Sequence, residues 1–247
     1  MYVPYDETLE VHPQADAFTQ YQEWDFAATT ADGYPLLLHY PYFDLYRRQV
    51  VKQADLVLAM HLRGDAFTDD QKVRNFDYYE RITVRDSSLS ACTQSVLAAE
   101  TGHLGLAYDY LGEAALMDLH NLEHNTRDGL HIASLAGTWI ALVCGFGGMR
   151  HGEDGCLAFT PRLPEAITGL AFNLFFRGHR LRVEVSPSHA RYSLADGPAL
   201  YITHHGHHAL VIAGEPVELP IPHLPERPEP TQPPGRAPVR RRGSAKM

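Results

Sequence analysis

A stretch of small and polar residues, GLHIASLAGTW at 129–139, is the strongest candidate for chemistry in this sequence. His131 contributes an imidazole, Ser134 and Thr138 contribute hydroxyls, and Gly137 leaves backbone N–H groups accessible. A helix start with free N–H groups and a protonatable imidazole favours the binding of phosphate or another anion. Small residues at a helix start also permit close helix packing, so the pattern alone leaves both interpretations open.

Two further polar groups could contact a ligand. Lys52 and Gln53 are neighbours in RRQVVKQADLVLA, where they could face a cavity and hydrogen-bond a ligand rich in hydroxyl groups. The alternative is a solvated helix face. Ser87 and Ser88 lie between two predicted helices, where hydroxyls and exposed N–H groups could hold an anion. Asp86 and the two serines could equally cap the next helix.

Metal binding and acid–base chemistry have weaker support. The run THHGHH at 203–208 is rich in histidine, but no Cys or carboxylate completes a zinc site, and its glycine predicts a hairpin turn. The three cysteines are too few and too far apart for a disulfide framework, which predicts buried free thiols in a reducing cytoplasm. Glu7 and Glu80 are the nearest candidates for a general acid, and surface or capping roles explain both.

The composition limits the class of protein. The 247 residues carry a formal net charge of −9, so the body of the protein has no electrostatic basis for binding nucleic acid. No phosphate-binding loop, dinucleotide fingerprint, nucleophile elbow or HExxH motif occurs. The first residues lack the basic and apolar regions of a signal peptide, and the apolar runs are too short to span a bilayer. We expect a soluble cytoplasmic protein without a membrane partner.

The elements that would carry these residues change in character along the chain. Residues 1–42 predict a long loop-rich segment, which suggests a binding surface or missing partner elements. Apolar spacing then predicts about five helices, at 43–62, from Thr68 onward, at 90–99, at 104–119 and at 133–145. Short segments rich in β-branched and aromatic residues predict an antiparallel sheet of about six strands over 155–219. Proline and arginine dominate from Pro220, which predicts a disordered tail or, as the alternative, a basic interaction tail.

Taken together, these segments resemble glycoside hydrolase family 65, the family of maltose, trehalose and kojibiose phosphorylases and related trehalose hydrolases. The resemblance covers about residues 1–186. The stretches that carry it, in chain order, are PYDETLEVHPQ, YPLLLHYPYFDLYRRQVVKQADLVLA, NFDYYERITVRDSSLSACTQSVLAAE, DGLHIASLAGTWIALVCGFGGMR, LAFTPRLP and FFRGHRLRVEV. Several long motifs in the right order are far more specific than any one of them.

The resemblance implies an all-α part of an (α/α)6 toroid, then a small antiparallel β-sheet domain, ahead of the disordered tail. We place the C-terminal part of the catalytic barrel at 1–152, the β-sheet domain at 153–219 and the Pro/Arg-rich tail at 220–247. Fewer helices are predicted than a complete barrel requires. We therefore expect the C-terminal portion of a longer enzyme, with apolar helix faces left exposed.

The resemblance also implies roles for the candidate residues. Lys52 and Gln53 match the pair that holds the glucosyl unit, and the phosphate-binding positions are His131, Ser134, Gly137, Thr138, Ser87 and Ser88. In this family a glutamic acid protonates the glycosidic oxygen while phosphate, or water in the hydrolases, attacks from the opposite face. The motif of that acid precedes the PYDE segment and has no match here, so we assign no catalytic residue to this chain.

The expected function is therefore that of a fragment of an inverting α-glucoside phosphorylase. It would act on a glucose disaccharide of the trehalose, maltose or kojibiose type and release β-glucose 1-phosphate, with inorganic phosphate as co-substrate and no cofactor or metal. One alternative is a trehalose-type hydrolase that uses water, and another is an inactive sugar- or phosphate-binding remnant. The partner would be a complementing N-terminal chain or a second copy.

Overall fold

The helices precede the main sheets along the chain. The computed structural model describes residues 3–152, 155–223 and 227–241. The α-helices in these residues are α1 (Leu36–His39), α2 (Tyr42–Leu45), α3 (Asp55–Leu62), α4 (Asp69–Ile82), α5 (Ser90–Thr101), α6 (Leu104–Leu116) and α7 (Ile132–Ile140). A π-helical segment, Ala141–Phe146, continues α7. Short 3-10 helices lie at Phe18–Gln20, Ala31–Gly33, Gly64–Ala66 and Thr126–Asp128.

The strands fall into one small ladder and two larger sheets. The strands are β1 (Gln22–Glu23), β2 (Arg48–Gln49), β3 (Arg150–His151), β4 (Leu157–Phe159), β5 (Leu170–Phe176), β6 (His179–Val185), β7 (His189–Leu194), β8 (Leu200–His204), β9 (His207–Val211) and β10 (Val217–Pro220). β1 pairs with β2, and the four-stranded sheets have the orders β10-β7-β6-β5 and β3-β4-β8-β9. The change from helix to sheet thus falls between Phe146 and Arg150.

The single helix predicted over 43–62 is wrong. α2 ends at Leu45, β2 pairs in parallel with β1, and α3 begins only at Asp55. The cause is a tertiary hydrogen-bond ladder: the Val51 N–H donates to the Ile82 carbonyl at 3.0 Å, and the Val84 N–H donates to the Val51 carbonyl at 3.0 Å. Backbone groups that an α-helix would use internally are therefore taken by the end of α4.

The helix predicted from Thr68 onward is confirmed, because residues close together in sequence define its start. The Gln71 N–H donates to Thr68 Oγ1 at 3.2 Å, and the Thr68 N–H donates to Gln71 Oε1 at 2.9 Å, which forms a capping box. α4 packs with α5 and α6 around fully buried side chains that include Phe76, Leu97 and Tyr110. The segments that carry Ser87, Ser88 and His131 connect helices of this core to each other and to α7.

The sheet prediction is confirmed in outline, but the strands form two four-stranded sheets instead of one, and one pairing is not antiparallel. β6 alternates as predicted, with Leu181 and Val183 fully buried on one face. The predicted hairpin turn is also confirmed, since β8 and β9 pair antiparallel around His205 and Gly206, both with positive φ. However, β4 pairs with β8 in parallel, so the sheets are not all antiparallel. The excursion that forms β5, β6 and β7 separates β4 from β8 along the chain, which makes a parallel pair possible.

The prediction of a disordered tail over 220–247 is wrong for residues 227–241, which we call the C-terminal strap. The strap has no regular helix or strand, but it lies along the helical part of the molecule. Gln232 Nε2 donates to Glu80 Oε2 at 2.7 Å, and the Arg241 N–H donates to Asp109 Oδ1 at 2.7 Å. Composition could not reveal this order, because the strap uses buried partners on other elements. Residues 224–226 and 242–247 of the predicted tail lie outside the described residues.

Helix α7 presents apolar side chains to solvent, as expected for a helical region that lacks neighbours. Ile132 is 66% exposed and Trp139 is 49% exposed, and Leu135 lies between them on the same face. Within the described residues, no helix combines the length and the hydropathy needed to cross a membrane.

Candidate functional site

The ladder at Val51 brings two candidate groups together. Val51 and Thr83 form a parallel bridge, so the chain leaving Val51 runs beside the chain leaving Thr83. Lys52 and Gln53 follow on one strand of this bridge, and Ser87 follows on the other. The bridge therefore positions groups that are more than thirty residues apart in sequence.

Gln53 is held from both ends of its amide. Ser87 Oγ donates to Gln53 Oε1 at 2.7 Å, and Gln53 Nε2 donates to Asp55 Oδ1 at 3.0 Å. The two contacts fix which end of the amide is oxygen and which is nitrogen. The predicted sugar-side residue Gln53 and the predicted phosphate-side residue Ser87 thus meet directly. Ser88 is half-buried in the turn that leads into α5.

A cavity of about 600 Å³ opens beside this pair. Lys52 and Gln53 line it, and Tyr21, Tyr42 and Tyr46 provide aromatic rings. Lys52 is exposed, so its ammonium group is free to reach a ligand in the cavity. A few polar groups on an otherwise apolar and aromatic wall are typical of a small-molecule site. The N-terminal loop-rich segment also contributes to the wall, which supports its predicted role as a binding surface.

Asp86 does not cap α5, the helix that follows it, so that interpretation of Asp86 is wrong. α5 has Leu89 at its N-cap without a side-chain cap. Instead, Asp86 Oδ2 accepts from the Leu36 N–H at 2.7 Å, and Asp86 Oδ1 accepts from Arg236 Nη2 at 2.5 Å. Burial raises the pKa of Asp86, while the Leu36 N–H, Arg236 and Lys52 act in the opposite direction. Its carboxyl group therefore joins three segments at the cavity wall.

His131 is oriented by Asp118. His131 Nδ1 lies 2.6 Å from Asp118 Oδ1, and the His131 N–H donates to Asp118 Oδ2 at 2.9 Å. The hydrogen bond from His131 holds the pKa of Asp118 below its usual value. An ionised carboxylate only accepts hydrogen bonds, so Nδ1 carries a proton and the other ring nitrogen, Nε2, remains for a ligand.

The other residues of the predicted phosphate loop serve packing in this structure. Ser134 is fully buried, and its hydroxyl donates to the Ala114 carbonyl of α6 at 3.1 Å. Thr138 Oγ1 donates back to the Ser134 carbonyl at 3.0 Å. At Gly137, an added Cβ would lie only 2.5 Å from Cys92 Cβ on α5. The small residues at the start of α7 thus permit close helix contact, the interpretation that the sequence had left open.

Glu123 links the His131 side to the Asp86 side. Burial is the main cause that raises the pKa of Glu123, and the carboxylate of Asp86 adds to it. Arg236 and His131 both lower the pKa of Glu123 through their charges. These electrostatic effects require the groups to be close in space. Sequence analysis missed both Glu123 and Arg236, since neither lies in a motif.

Glu80 is a buried hub, and the surface or capping explanation of it is wrong. Its carboxyl oxygens accept from Gln94 Nε2 at 2.5 Å, from Tyr110 OH at 2.7 Å and from Gln232 Nε2 at 2.7 Å. Burial raises the pKa of Glu80, and the three hydrogen bonds act against that rise. Because the side chain is enclosed, Glu80 stabilises the helical core and does not reach the cavity. Glu7, the other acid considered, is exposed.

The histidine-rich turn and the cysteines carry no ligand set. His204 is buried between Tyr192 OH, 2.8 Å from its Nδ1, and the Pro220 carbonyl, 3.0 Å from its Nε2. Among the described residues, no group of three or more His, Cys, Asp and Glu side chains could hold a metal ion. The three cysteines form no disulfide with one another; Cys144 is buried, as predicted, but Cys92 and Cys156 are only partly buried.

Comparison with known families decides the assignment. The sequence description of the glycosyl hydrolase family 65 central catalytic domain matches residues 1–140, and that of the family's C-terminal domain matches residues 149–211. The chain belongs to glycosyl hydrolase family 65. The resemblance seen in the sequence is thus confirmed, and a helical part followed by a sheet part agrees with the two matched domains.

Several members of family 65 match most of this chain. An "Uncharacterized glycosyl hydrolase" of Mycobacterium leprae is 55% identical over 97% of the chain, which covers 30% of that protein. The α,α-trehalose phosphorylase of Geobacillus stearothermophilus is 44% identical over 89% of the chain, which covers 28% of that enzyme. The solved "Putative kojibiose phosphorylase from human microbiome" is 29% identical with a TM-score of 0.80, over 89% of this chain and 30% of that one. The chain therefore spans less than a third of the length of these relatives.

Proposed function

We propose that this chain forms the glucosyl-binding side and the anion-binding side of an inverting α-glucoside phosphorylase site. The substrate would be a glucose disaccharide of the trehalose, maltose or kojibiose type, and the product would be β-glucose 1-phosphate. The general acid would come from a part of the protein outside these 247 residues. The observation that carries the proposal is the Gln53–Ser87 contact beside the cavity, since it joins the two predicted sides of one site.

The sugar side rests on Lys52 and Gln53. An ammonium group has three donors and no acceptor, while an amide has both, so the pair can bind several hydroxyls of one pyranose ring. Tyr42 and Tyr46 stack with ring centroids 5.7 Å apart in the cavity wall. Aromatic rings of this kind suit the apolar faces of a sugar.

The anion side rests on His131, Ser87 and Ser88. His131 Nε2 is the ring nitrogen not committed to Asp118, and a protonated imidazole would donate from it to a phosphate oxygen. Ser88 would add a hydroxyl contact, and Ser87, whose hydroxyl already donates to Gln53, would orient that amide. The Ser134 and Thr138 hydroxyls already have partners, and Gly137 lies beyond the first turn of α7, so only the start of that helix at Ile132 would add a helix dipole to the anion side.

Ligand titrations of the 247-residue chain test the two sides separately. We expect Lys52→Met to weaken glucose binding by about tenfold or more, because a hydrogen bond to a charged group contributes roughly 1.5–3 kcal/mol. We expect His131→Gln to weaken phosphate binding and to leave glucose binding nearly unchanged. Arg127→Gln and His120→Gln, both at exposed positions, are the matched controls. A wild-type chain that binds neither glucose nor phosphate at millimolar concentration would contradict the proposal.

A hydrolase that uses water is the second candidate. Two observations favour it: the Mycobacterium leprae relative is named a glycosyl hydrolase, and the hydroxyls of Ser134 and Thr138 are already bonded within the fold. Fewer side-chain donors then remain for phosphate. The test is the phosphate dependence of disaccharide cleavage by this chain combined with a complementing chain that supplies the general acid. Cleavage without phosphate, with glucose as the only product, would favour the hydrolase.

The chain alone is expected to give no turnover, because the general-acid motif that the family resemblance implies has no match in this sequence. Complementation in trans would restore activity, and purified chain that cleaves an α-glucobiose unaided would refute this part of the proposal. Retained binding without turnover in either setting would instead favour the third possibility, an inactive remnant that binds sugar or phosphate.

A further inference from the structure

The C-terminal strap, residues 227–241, is anchored to the helical part at two interior points. Gln232 Nε2 donates both to Glu80 Oε2 at 2.7 Å and to Tyr110 OH at 2.6 Å, so the strap enters the buried hub. Pro233 and Pro238 are also buried. A segment that inserts polar and apolar side chains into the core is a fixed structural element.

The second anchor, Arg236, lies against the wall of the candidate site. Arg236 Nε donates to the Val84 carbonyl at 2.6 Å, and Arg236 Nη2 donates to Asp86 Oδ1 at 2.5 Å. Its guanidinium also lies 4.6 Å from the centre of the Tyr34 ring. The planar group therefore contacts the chain just before α1 and the chain just after α4 at the same time.

The contacts of Arg236 also fix residues that line the candidate site. The Asp86 side chain is only 1% exposed, and its second oxygen holds the Leu36 N–H at 2.7 Å, where α1 begins. Leu36, Leu37 and Val84 line the same cavity as Lys52 and Gln53. Ser87, the partner of Gln53, directly follows Asp86. Loss of Arg236 would leave a buried carboxylate without its counter-charge, which is strongly unfavourable.

We propose that the C-terminal strap is a component of the sugar side of the site, in which Arg236 is a positioning residue. It fixes Asp86, and through Asp86 it fixes both the start of α1 and the loop that presents Ser87 to Gln53. This inference rests on the proposed function for its ligand. The strap lies beyond both matched family domains, which end at residue 211.

Amide hydrogen exchange and glucose titration of the full 247-residue chain test the inference together. The variants are Arg236→Gln, which removes the charge, and Arg236→Lys, which keeps the charge but not the planar fork. Arg240→Gln is the matched control, since Arg240 lies on the same strap in an exposed ion pair with Glu229. We expect Arg236→Gln to speed exchange at residues 36 and 84–90 by at least tenfold and to weaken glucose binding by about tenfold. Arg236→Lys should give intermediate values, and Arg240→Gln should match wild type.

The location of the amides that exchange faster distinguishes a positioning role of Arg236 from a general loss of stability. Exchange in the core of α5, at residues 96–99, should speed up far less than at residues 84–90 in Arg236→Gln. Faster exchange in that core to the same degree, or no change at 84–90 in both Arg236 variants, would overturn the inference. If the wild-type chain binds no glucose, the proposed function fails, while the exchange data still decide whether Arg236 positions the loop.

Discussion

Replacing Gly137 with alanine tests whether α7 sits so close to α5 that its small residues are required for packing. An alanine Cβ at this position would lie 2.5 Å from Cys92 Cβ and 2.5 Å from Cys92 Sγ. An ordinary contact needs at least 3.4 Å, so the two helices would have to separate by about 0.9 Å, the difference between 3.4 and 2.5. Rotation about the Cα–Cβ bond can move Cys92 Sγ but not Cys92 Cβ, which is attached directly to the backbone of α5.

The magnitude follows from two opposing contributions. Overpacking of this kind costs about 1–3 kcal/mol. Alanine has the higher helix propensity and stabilises a helix by about 1 kcal/mol relative to glycine. The net cost is then about 0–2 kcal/mol. Because both contacts at 2.5 Å are far shorter than ordinary ones, we expect Gly137→Ala to lower the free energy of unfolding by an amount in the upper half of that range. Ser134, one turn earlier on the same buried face, would be displaced with the helix and its hydrogen bond to Ala114 would lengthen.

Urea unfolding followed by circular dichroism is the assay, and Gly145→Ala is the matched control. Gly145 lies in the π-helical continuation of α7, and an added Cβ would stand 3.4 Å from Val96 Cα, an ordinary contact. That variant should be as stable as wild type or slightly more stable. A Gly137→Ala chain with undiminished stability and weaker phosphate binding would refute the packing argument, because it would return Gly137 to the anion-binding loop.

Three further predictions concern stability and assembly. Burial, followed by the charge of Arg150, lowers the pKa of His61 from 6.5 to about 4, so the unfolded chain binds the proton more tightly than the folded chain. The folded chain should therefore lose stability as the pH falls below 6.5, by about 3 kcal/mol at pH 4. His61→Gln should reduce this pH dependence of the free energy of unfolding in urea, and His120→Gln should not. Glu80→Ala should lower the free energy of unfolding by roughly 4 kcal/mol, since the buried Tyr110 hydroxyl loses its acceptor and the amides of Gln94 and Gln232 each lose one of two acceptors. A calorimetric melting temperature equal to wild type would contradict the buried hub. The exposed apolar face of α7 should make the isolated chain oligomerise, and Ile132→Glu should shift light-scattering masses toward the monomer; a wild-type chain that is already monomeric and unfolds cooperatively would count against this expectation.

The sequence predicted correctly those elements that are stabilised by contacts between residues close together in the chain. The Thr68 capping box and the two-residue turn at His205 and Gly206 are complete within a few residues, so their positions follow from sequence. The helix expected over 43–62 fails for the opposite reason. Its apolar spacing is genuine, but Val51 exchanges hydrogen bonds with Ile82 and Val84, and no window around Val51 contains those partners.

In the candidate site, too, the sequence predicted what is local and missed the contacts between distant residues. Residue types and family motifs identified Lys52, Gln53, Ser87 and His131, but not the contacts that orient them. Ser87 reaches Gln53 across 34 residues of sequence, and Arg236 reaches Asp86 across 150. The second contact comes from a segment whose composition predicts disorder. Composition describes whether a segment can bury its own apolar surface, and the strap instead uses buried polar partners that other helices provide.

The proposed anion side belongs to a chain with a net charge of −9, so the pairing of its charges decides which donors are left for an anion. Arg236 and His131 each have a carboxylate beside them, since Arg236 contacts Asp86 and His131 contacts Asp118. Glu123 lies within electrostatic reach of both sides, and burial raises its pKa. Under the proposed function, anion binding then depends on the donors that these contacts leave, which are His131 Nε2, the ammonium group of Lys52 and the Ser88 hydroxyl, because Ser87 Oγ already donates to Gln53. The Ser87–Gln53 and His131–Asp118 contacts fix the orientation of Gln53 and of the imidazole before a ligand arrives, so a sugar hydroxyl and a phosphate oxygen would both meet preorganised groups.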